Sequence, residues 1–391
     1  MSQIVMDQAW ILFSIALTAA YAALLGAYCR GWQALPRWQA PEGFRPRTRI
    51  SVVVAARNEA VNIGACLDSI GSGDYPPDLF EIIVVDDFST DDTAAIVVQR
   101  AGRLQNGARL RLIRLEEALP AGRVFNAYKK IALETAIARA SGELIVTTDA
   151  DCLAPPGWLR LIASAYETAT PKAIAAPVVF HREKNLLQRF QALDFLGMMG
   201  VTGAGIRLGW QRLGNGANLA YPKTVFEAVG GYGDDGRASG DDLFLLQKIA
   251  RCWPEGVFFL KNAESAVYTE ALAGWRDFFQ QRLRWGTKNA ALPEVGPKIA
   301  LLAVFLFSCS IVLNLAAVVA GWAPGWLPAV QLVVKAVCDA IFLRELCRFF
   351  GRKDLMRAFL PAFFIHLIYI VSVGTASLTL RRYTWKGRQV R

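Results

Sequence analysis

Apolar residues follow two different patterns along this chain, and the first consists of long runs without charge near both ends. Trp10 to Tyr28 and Ile299 to Ala320 contain no charged residue, and Ala358 to Leu380 contains only His366 as a possible charge. Each run is long enough to cross a bilayer as a helix. We therefore expect an integral membrane protein.

A fourth apolar run, Leu327 to Leu343, is shorter and carries Lys335 and Asp339. Residues four apart lie on one helix face, so we expect these two side chains to form an ion pair that faces other helices. The alternative is that this segment lies at the membrane surface or inserts only in part. Together with the three longer runs, this run predicts three to four membrane helices in total.

The basic residues predict the orientation of the first helix. Met1 to Ala9 has no lysine or arginine, whereas five arginines and a single glutamate follow Tyr28 up to Arg49. This is the reverse of a signal peptide, and the positive-inside tendency places the N-terminus outside and the following residues in the cytosol. Two further basic stretches, 344–357 and 381–391, cannot both be cytosolic if the runs simply alternate across the membrane.

The second pattern occupies the middle of the chain, where strand-like and helix-like segments alternate. Ile50 to Ala56 and Phe80 to Val85 are almost continuously apolar, as is the run from Leu144 that ends at Asp149. Such runs are typical of parallel strands buried on both faces. With a strand over Leu110 to Leu115 and helices between, the pattern predicts an α/β fold with a doubly wound, mostly parallel sheet.

Composition and charge narrow the function. The chain has 391 residues and a formal net charge of +10, but its basic residues cluster beside the apolar runs. Such clusters serve membrane topology and anionic headgroups, so we expect no nucleic-acid partner. The seven cysteines show no C-x-x-C spacing, which argues against a disulfide framework. Only two histidines are present, which argues against a histidine-activated nucleophile, and the lack of a G-x-x-x-x-G-K-[ST] motif argues against an ATPase.

The triplet Asp149-Ala150-Asp151 is the strongest chemical signal. A buried strand delivers both carboxylates at its C-terminal end, where ligands bind in open α/β sheets. Two adjacent carboxylates repel each other and need a partner. Mg²⁺ or Mn²⁺ shared with a diphosphate satisfies that need. Taken alone, the triplet also fits an ordinary solvated strand end.

Three further groups accompany the triplet. Asp86 and Asp87 end a strand, Asp241 and Asp242 precede an apolar helix, and an amphipathic segment carries Gln281-Arg282-Leu283-Arg284-Trp285. The alternatives are helix N-capping for the two acidic pairs and a membrane-surface helix for the last segment.

Together, in this order, the four groups resemble those of family 2 glycosyltransferases with the GT-A fold. The pattern over about Ile50 to Lys288 is similar to that of ceramide glucosyltransferase-like enzymes and of cellulose and hyaluronan synthases. The resemblance implies an inverting hexosyltransferase that uses a nucleotide-diphosphate sugar, with UDP-sugar as the expected donor, and Mg²⁺ or Mn²⁺. One departure is Ser-Gly-Asp-Asp in place of Thr-Glu-Asp before the base.

The resemblance also implies residue roles. The base is Asp242, with Asp241 as the second candidate, and Asp149 and Asp151 hold the metal. The acceptor side includes Asn215 and Asn218. The residues implied in binding the nucleotide sugar are Asp86, Asp87, Glu59, Asp149, Gln281, Arg284 and Trp285.

These roles define an expected organisation. It comprises an anchor and basic linker (1–49), a cytosolic GT-A domain (50–270), an interface segment (271–298) and a membrane region (299–391). We expect the protein in the bacterial inner (plasma) membrane, transferring one sugar to a lipid acceptor, because so few apolar runs leave little room for a polymer channel. The alternatives are a processive polysaccharide synthase, an inactive scaffold on the same fold and, less in keeping with the large soluble insert, a transporter.

Overall fold

The computed structural model describes residues 2–101, 104, 107–119, 127–233, 240–289, 294–379, 383–385 and 388–390. The chain divides into two compact units. The first, here called the sheet unit, holds Leu35–Arg182 and Arg212–Glu270, apart from two residues at the C-terminus. The second, here called the helical unit, holds Met1–Ala34, Glu183–Gln211 and Ala271–Gln389.

A seven-stranded sheet forms the core of the sheet unit, in the order β3-β2-β1-β4-β7-β5-β8. The first four strands in this order are parallel, and β7 runs antiparallel between β4 and β5. This confirms the predicted mostly parallel α/β sheet. The strands are β1 (Ile50–Ala56), β2 (Phe80–Asp86), β3 (Arg109–Arg114), β4 (Leu144–Asp149), β5 (Ala173–Ala175), β7 (Leu219–Pro222) and β8 (Val257–Phe259), while β6 (Val178–His181) pairs with β9 (Val267–Glu270) in a second, two-stranded sheet.

Seven helices accompany the sheet in the described part of this unit. The first helix after β1 begins at Ile63, and Asn58 in the loop before it has a left-handed backbone with φ of 51°. The helices are α2 (Ile63–Gly71), α3 (Thr93–Arg100), α4 (Leu115–Ala118), α5 (Tyr128–Ala138), α6 (Trp158–Ala169), α8 (Lys223–Ala228) and α9 (Asp241–Cys252), with short 3-10 turns at Pro77–Leu79, Gly216–Asn218 and Ala263–Ser265.

The strand order creates a crevice at the C-terminal edge of the sheet. The chain passes from β1 to β2 and β3 on one side and then returns to place β4 on the other side of β1. Adjacent parallel strands whose connections leave in opposite directions form the crevice in which α/β sheets bind ligands. The segments that follow β1, β2 and β4 therefore define the site.

The helical unit contains α1 and the helices that follow the sheet unit. Four helices in the described part of the chain are long and apolar enough to cross a membrane, namely Gln8–Ala34, Val295–Val319, Trp326–Phe349 and Lys353–Ser377. The elements of this unit are α1 (Ser2–Ala34), α7 (Leu186–Leu208), α10 (Trp275–Asn289), α11 (Val295–Val319), α12 (Trp326–Phe349), a 3-10 turn at Lys353–Ala358 and α13 (Phe359–Thr379), followed by two short paired strands, β10 (Tyr383–Trp385) and β11 (Arg388–Val390).

Two features of the helical unit bear on the sequence predictions. The fourth apolar run lies within the 24-residue helix α12, and Lys335 Nζ lies 2.5 Å from Asp339 Oδ2, which confirms the predicted ion pair. The other feature is α7, which lies inside the predicted 50–270 domain but groups with the membrane helices. Its many glycines allow this close packing, because a side chain at Gly200 would collide with Leu346 and Phe342.

Candidate active site

Two loops at the ends of β1 and β2 hold each other in place. The Arg57 guanidinium donates to the carbonyl oxygens of Asp87 and Phe88, at 2.7 and 3.1 Å. The Asn58 side chain accepts from the backbone N–H of Thr90 at 2.8 Å. Asn58 and Phe88 both have left-handed backbones, with φ of 51° and 52°. Because hydrogen bonds between the two loops hold Asn58 and Phe88 in this strained conformation, we expect the loops to form a rigid surface beside the crevice.

The predicted nucleotide-binding acids Asp86 and Asp87 lie at the end of β2 and are 5% and 2% exposed. Among the described residues, the buried Oδ1 atom of Asp86 has no hydrogen-bond partner. A buried carboxylate oxygen without a donor is unfavourable, so this position favours a ligand that brings an N–H or O–H group.

The two acids of the triplet have unequal surroundings. Asp149 is the last residue of β4, and its Oδ1 lies 2.6 Å from Lys129 Nζ. The pKa of Asp151 is raised to about 6, mainly by loss of solvation and to a lesser extent by repulsion from Asp149 and Glu59. The positive charge of Lys129 opposes this shift. Asp151 remains accessible from the open side of the crevice. The site therefore holds more negative charge than Lys129 neutralises.

This charge balance fits a divalent cation. Asp149 and Asp151 offer hard oxygen ligands, and Mg²⁺ and Mn²⁺ are bound in proteins by one or two carboxylates together with phosphate oxygens. Glu59 contributes to the same field, and its backbone N–H donates to Thr93 Oγ1 at 2.8 Å, which fixes the loop after β1. The residues present thus suit the predicted metal.

Nearby thiols do not offer a nucleophile. Burial and the negative charge of Asp151 and Asp149 raise the pKa values of Cys66 and Cys152 above the ordinary range of a thiol. Both cysteines are buried, and both remain protonated at neutral pH. The chemistry of this site is therefore that of its carboxylates.

Asp242 is joined to the same edge of the sheet. It lies in the first turn of α9, where its Oδ2 accepts from the Gly216 N–H at 2.8 Å and its Oδ1 from the Leu243 N–H at 2.9 Å. The Gly216 carbonyl oxygen accepts in turn from Thr147 Oγ1 at 2.7 Å, two residues before Asp149. The structure thus links the predicted base to the strand that carries the triplet. Asp241 begins α9, and its side chain lies outside the described residues.

The two predicted acceptor-side asparagines have different environments. The Asn215 side chain accepts from the Ala217 N–H at 3.0 Å and caps the turn beside Gly216. Asn218 has no exposed surface, because its amide donates to the carbonyl oxygens of Pro177 and Ser265 and accepts from the Trp158 indole. The position of Asn218 is that of a core residue, which lends no support to an acceptor-side role.

The Gln281-to-Trp285 motif belongs to the helical unit, on α10. Gln281, Arg284 and Trp285 are all half-buried. The Trp285 ring packs against Phe195 of α7 with 6.1 Å between ring centres. Within the described residues, the buried Oε1 atom of Gln281 has no hydrogen-bond partner. The motif thus presents polar groups from a helix that is packed against α7.

Sequence reasoning missed Lys129. This lysine lies in the first turn of α5, and its ammonium group is the described partner of Asp149. A signal was present, since in a doubly wound fold the helix that precedes β4 begins at the C-terminal edge of the sheet. A lysine in its first turn is thereby directed toward the acids that end β4.

Comparison with known families identifies the class of protein. The family described as glycosyl transferase family 2 matches residues 51–220, and the glycosyl transferase family group 2 matches residues 144–373. Because the second match covers more than half of the chain, the chain belongs to the family 2 glycosyltransferases.

Individual relatives place the chain within this family. It is 31% identical over 248 residues to a beta-monoglucosyldiacylglycerol synthase of Synechocystis, covering 61% of this chain and 47% of that protein. It is 26% identical over 267 residues to the probable glycosyltransferase YdaM of Bacillus subtilis, covering 65% and 58%. The chain thus spans about half the length of these curated relatives.

One solved structure resembles the whole chain. The mannosyltransferase PcManGT from Pyrobaculum calidifontis, solved with GDP-Man and Mn²⁺, has a TM-score of 0.58 and 23% identity. The alignment covers 95% of this chain and 99% of that one. This likeness confirms the GT-A-like fold.

Proposed function

We propose that this glycosyltransferase moves a sugar from a UDP-sugar to a lipid acceptor at the cytosolic face of the bacterial inner membrane, with inversion at the anomeric carbon. The observation that carries the proposal is the convergence of Asp86, Asp149, Asp151 and Asp242 on one edge of the sheet, in a chain with four helices able to span a membrane.

The donor site is proposed on the acids that follow β1, β2 and β4. Asp86 and Asp87 accept from the nucleoside, and Glu59, in the loop after β1, is proposed to contact the donor as well. Asp149 and Asp151 hold Mg²⁺ or Mn²⁺, which when bound neutralises charge on the leaving diphosphate. The PcManGT structure contains Mn²⁺ and a sugar nucleotide. Lys129, 2.6 Å from Asp149, is proposed to add positive charge to the same donor site.

Asp242 is proposed as the general base. The acceptor hydroxyl attacks the anomeric carbon and loses its proton to the Asp242 carboxylate, while the bond from that carbon to the diphosphate oxygen breaks. Two backbone N–H groups orient the carboxylate, one on each oxygen. A single displacement of this kind inverts the anomeric centre. Asp241 remains the second candidate.

Gln281, Arg284 and Trp285 are proposed to bind the donor diphosphate and to cover the acceptor. The planar guanidinium of Arg284 suits a diphosphate, since it can donate to two oxygens at once. Gln281 has a buried amide oxygen without a partner among the described residues, so a ligand hydroxyl is a suitable donor to it.

Diacylglycerol is the first lipid acceptor to test. The Synechocystis relative is named for a product on that lipid, and a membrane-embedded acceptor suits a chain with four long apolar helices. The experiment is transfer from radiolabelled UDP-glucose by the protein in nanodiscs that contain diacylglycerol, with Mn²⁺ or Mg²⁺, followed by lipid mass spectrometry.

The proposal predicts one hexose added per lipid, and loss of this product in Asp242→Asn. A labelled polymer retained at the origin would instead indicate a polysaccharide synthase. No UDP-dependent thermal protection and no transfer from any UDP-sugar would overturn the proposal in favour of a scaffold or a different nucleotide donor. GDP-mannose is the matched alternative donor in the same assay.

A further inference from the structure

An arginine inside the Gln281-to-Trp285 motif is buried rather than presented to a ligand. The Arg282 side chain is 1% exposed, and its guanidinium carbon lies 4.3 Å from the centre of the Trp285 ring. The same carbon lies 5.1 Å from the ring of Phe278 and 5.8 Å from that of Tyr369. Arg282 is thus enclosed by three aromatic rings, of which Trp285 is the nearest.

Asp194 of α7 holds this arginine from the other side. Its Oδ2 lies 2.8 Å from Arg282 Nη2, and both side chains are less than one-tenth exposed. His366 Nε2 lies 4.0 Å from the second carboxylate oxygen. Arg282 Nη1 also approaches the sulfur of Met198 at 3.6 Å. Asp194 is therefore the carboxylate that neutralises Arg282 among the described residues.

Such a pair contributes little to stability by itself. Desolvation of two buried charges roughly offsets their attraction, and apolar residues of similar volume often serve as well. The Nε atom of Arg282 is also buried without a hydrogen-bond partner among the described residues. What the pair does provide is geometry, because a planar guanidinium that contacts Asp194 and at the same time lies against the indole restricts the positions of both side chains.

We propose that Arg282 and Asp194 are positioning residues for sugar transfer, which hold the Trp285 indole and fix the rotation of α10 about its axis. This inference rests on the proposed function of the motif. Successive residues on a helix point about 100° apart, so anchoring Arg282 inward sets the directions of its neighbours Gln281 and Arg284. Loss of the anchor leaves these side chains present but misdirected.

A double-mutant cycle on the transfer rate tests the proposal in the full-length protein in nanodiscs. Arg282→Lys keeps the charge but loses the planar fork, and Asp194→Asn keeps the shape but loses the charge. We expect each to lower kcat by about ten- to a hundred-fold with KM for the donor much less affected, since small misplacements of positioning groups cost that much. In a Trp285→Ala background each change should lower kcat by a clearly smaller factor, because only the misdirection of Gln281 and Arg284 is left to act.

Glu183→Gln is the matched control. Glu183 pairs with Arg352 at 2.7 Å, is 6% exposed and joins segments of the same unit that lie outside the Gln281-to-Trp285 motif in sequence. We expect this variant to lower the melting temperature, to leave kcat unchanged and to act independently of Trp285→Ala.

The possible outcomes distinguish a failure of the positioning role from a failure of the proposed function. If Arg282→Lys and Asp194→Asn lower the melting temperature as Glu183→Gln does but leave kcat unchanged, the positioning role is overturned. It is also overturned if their effects on kcat multiply with that of Trp285→Ala. A wild-type protein that transfers no sugar under any donor condition refutes the proposed function instead.

Discussion

Individual acids at the edge of the sheet differ in what they can do. Asp149 is paired with Lys129, whereas Asp151 is crowded by Asp149 and Glu59. Asp242 receives one backbone N–H on each oxygen. A group that is repelled by its neighbours is suited to bind a cation, and a group that is oriented by donors is suited to meet a substrate hydroxyl. These differences lead to two separable predictions.

Asp151→Asn should abolish metal-dependent donor binding without weakening the fold. The change removes a negative charge that Asp149 and Glu59 disfavour, so the metal-free protein should melt no lower than wild type. Thermal unfolding with UDP, with and without Mn²⁺, measures both effects. Asp78→Asn is the control, because Asp78 is exposed before β2 at the opposite end of the sheet. Unchanged Mn²⁺-dependent protection in Asp151→Asn would contradict the metal assignment.

Asp242→Asn should separate chemistry from binding. The amide cannot take a proton from the acceptor, so transfer should fall by about 10²- to 10⁴-fold, the usual contribution of a general base. The shift in melting temperature with UDP and Mn²⁺ should stay close to that of wild type. Single-turnover transfer at saturating donor is the measurement, again with Asp78→Asn as control. If transfer persists in Asp242→Asn, the base is Asp241 or another group.

At this scale the sequence predicted the acids but not all of their partners. Asp86, Asp149 and Asp242 were found because each stands at the boundary of an apolar element, where position follows from the fold class. Lys129 lies twenty residues from Asp149 in sequence, and Asn218 turns into the core through its contacts with Trp158 and Pro177. Contacts of that kind depend on tertiary packing, which local patterns do not encode.

Among the elements, the helices of the helical unit are joined by buried polar groups. Asn314 of α11 accepts from the Trp10 indole and donates to Gln331 of α12, at 2.7 and 2.8 Å. One turn further along α12, Lys335 is fully buried beside Asp339, and Tyr21 of α1 donates to the same Asp339 carboxylate. These contacts fix the register of α1, α11 and α12 against one another.

The buried Lys335–Asp339 pair allows a prediction about the stability of the helical unit. Lys335→Met leaves the Asp339 charge largely buried and unpaired, which should cost about 3–5 kcal/mol of stability. The double variant Lys335→Met/Asp339→Leu removes both charges and should recover most of that loss. Thermal unfolding in one fixed detergent compares the two variants with wild type. A double variant less stable than the single one would show that the pair stabilises the bundle in its own right.

Element boundaries were predictable where burial alone decides them. The strands β1, β2 and β4 are continuous apolar runs because both of their faces are covered. The assignment of α7 was not predictable, because its glycines and apolar residues fit either unit, and only its packing against α12 places it with the membrane helices.

For the membrane helices as a whole, contacts at their two ends fix the relative directions of three of them. Trp10, near the start of α1, bonds Asn314 near the end of α11, whereas Gln33 at the end of α1 bonds Glu345 near the end of α12 at 2.7 Å. Thus α1 and α12 run in one direction and α11 in the other. The alternative that Leu327 to Leu343 lies at the membrane surface or inserts only in part does not fit these contacts.

This arrangement brings the basic residues at the end of α12 to the same end of the helical unit as Arg30 of α1, which is the placement that the positive-inside tendency favours. Reporter insertions after Gly351 and after Ala40 should therefore report the same compartment, and an insertion after Gly321, in the turn between α11 and α12, the opposite one. All three sites lie in loops. A result is accepted only from an insertion variant that still transfers sugar from the donor. If the reporter at Gly321 shares the compartment of the other two, then α11 and α12 do not each cross the membrane. In that case the contacts at the two ends of α1 would not be those of helices that span the bilayer.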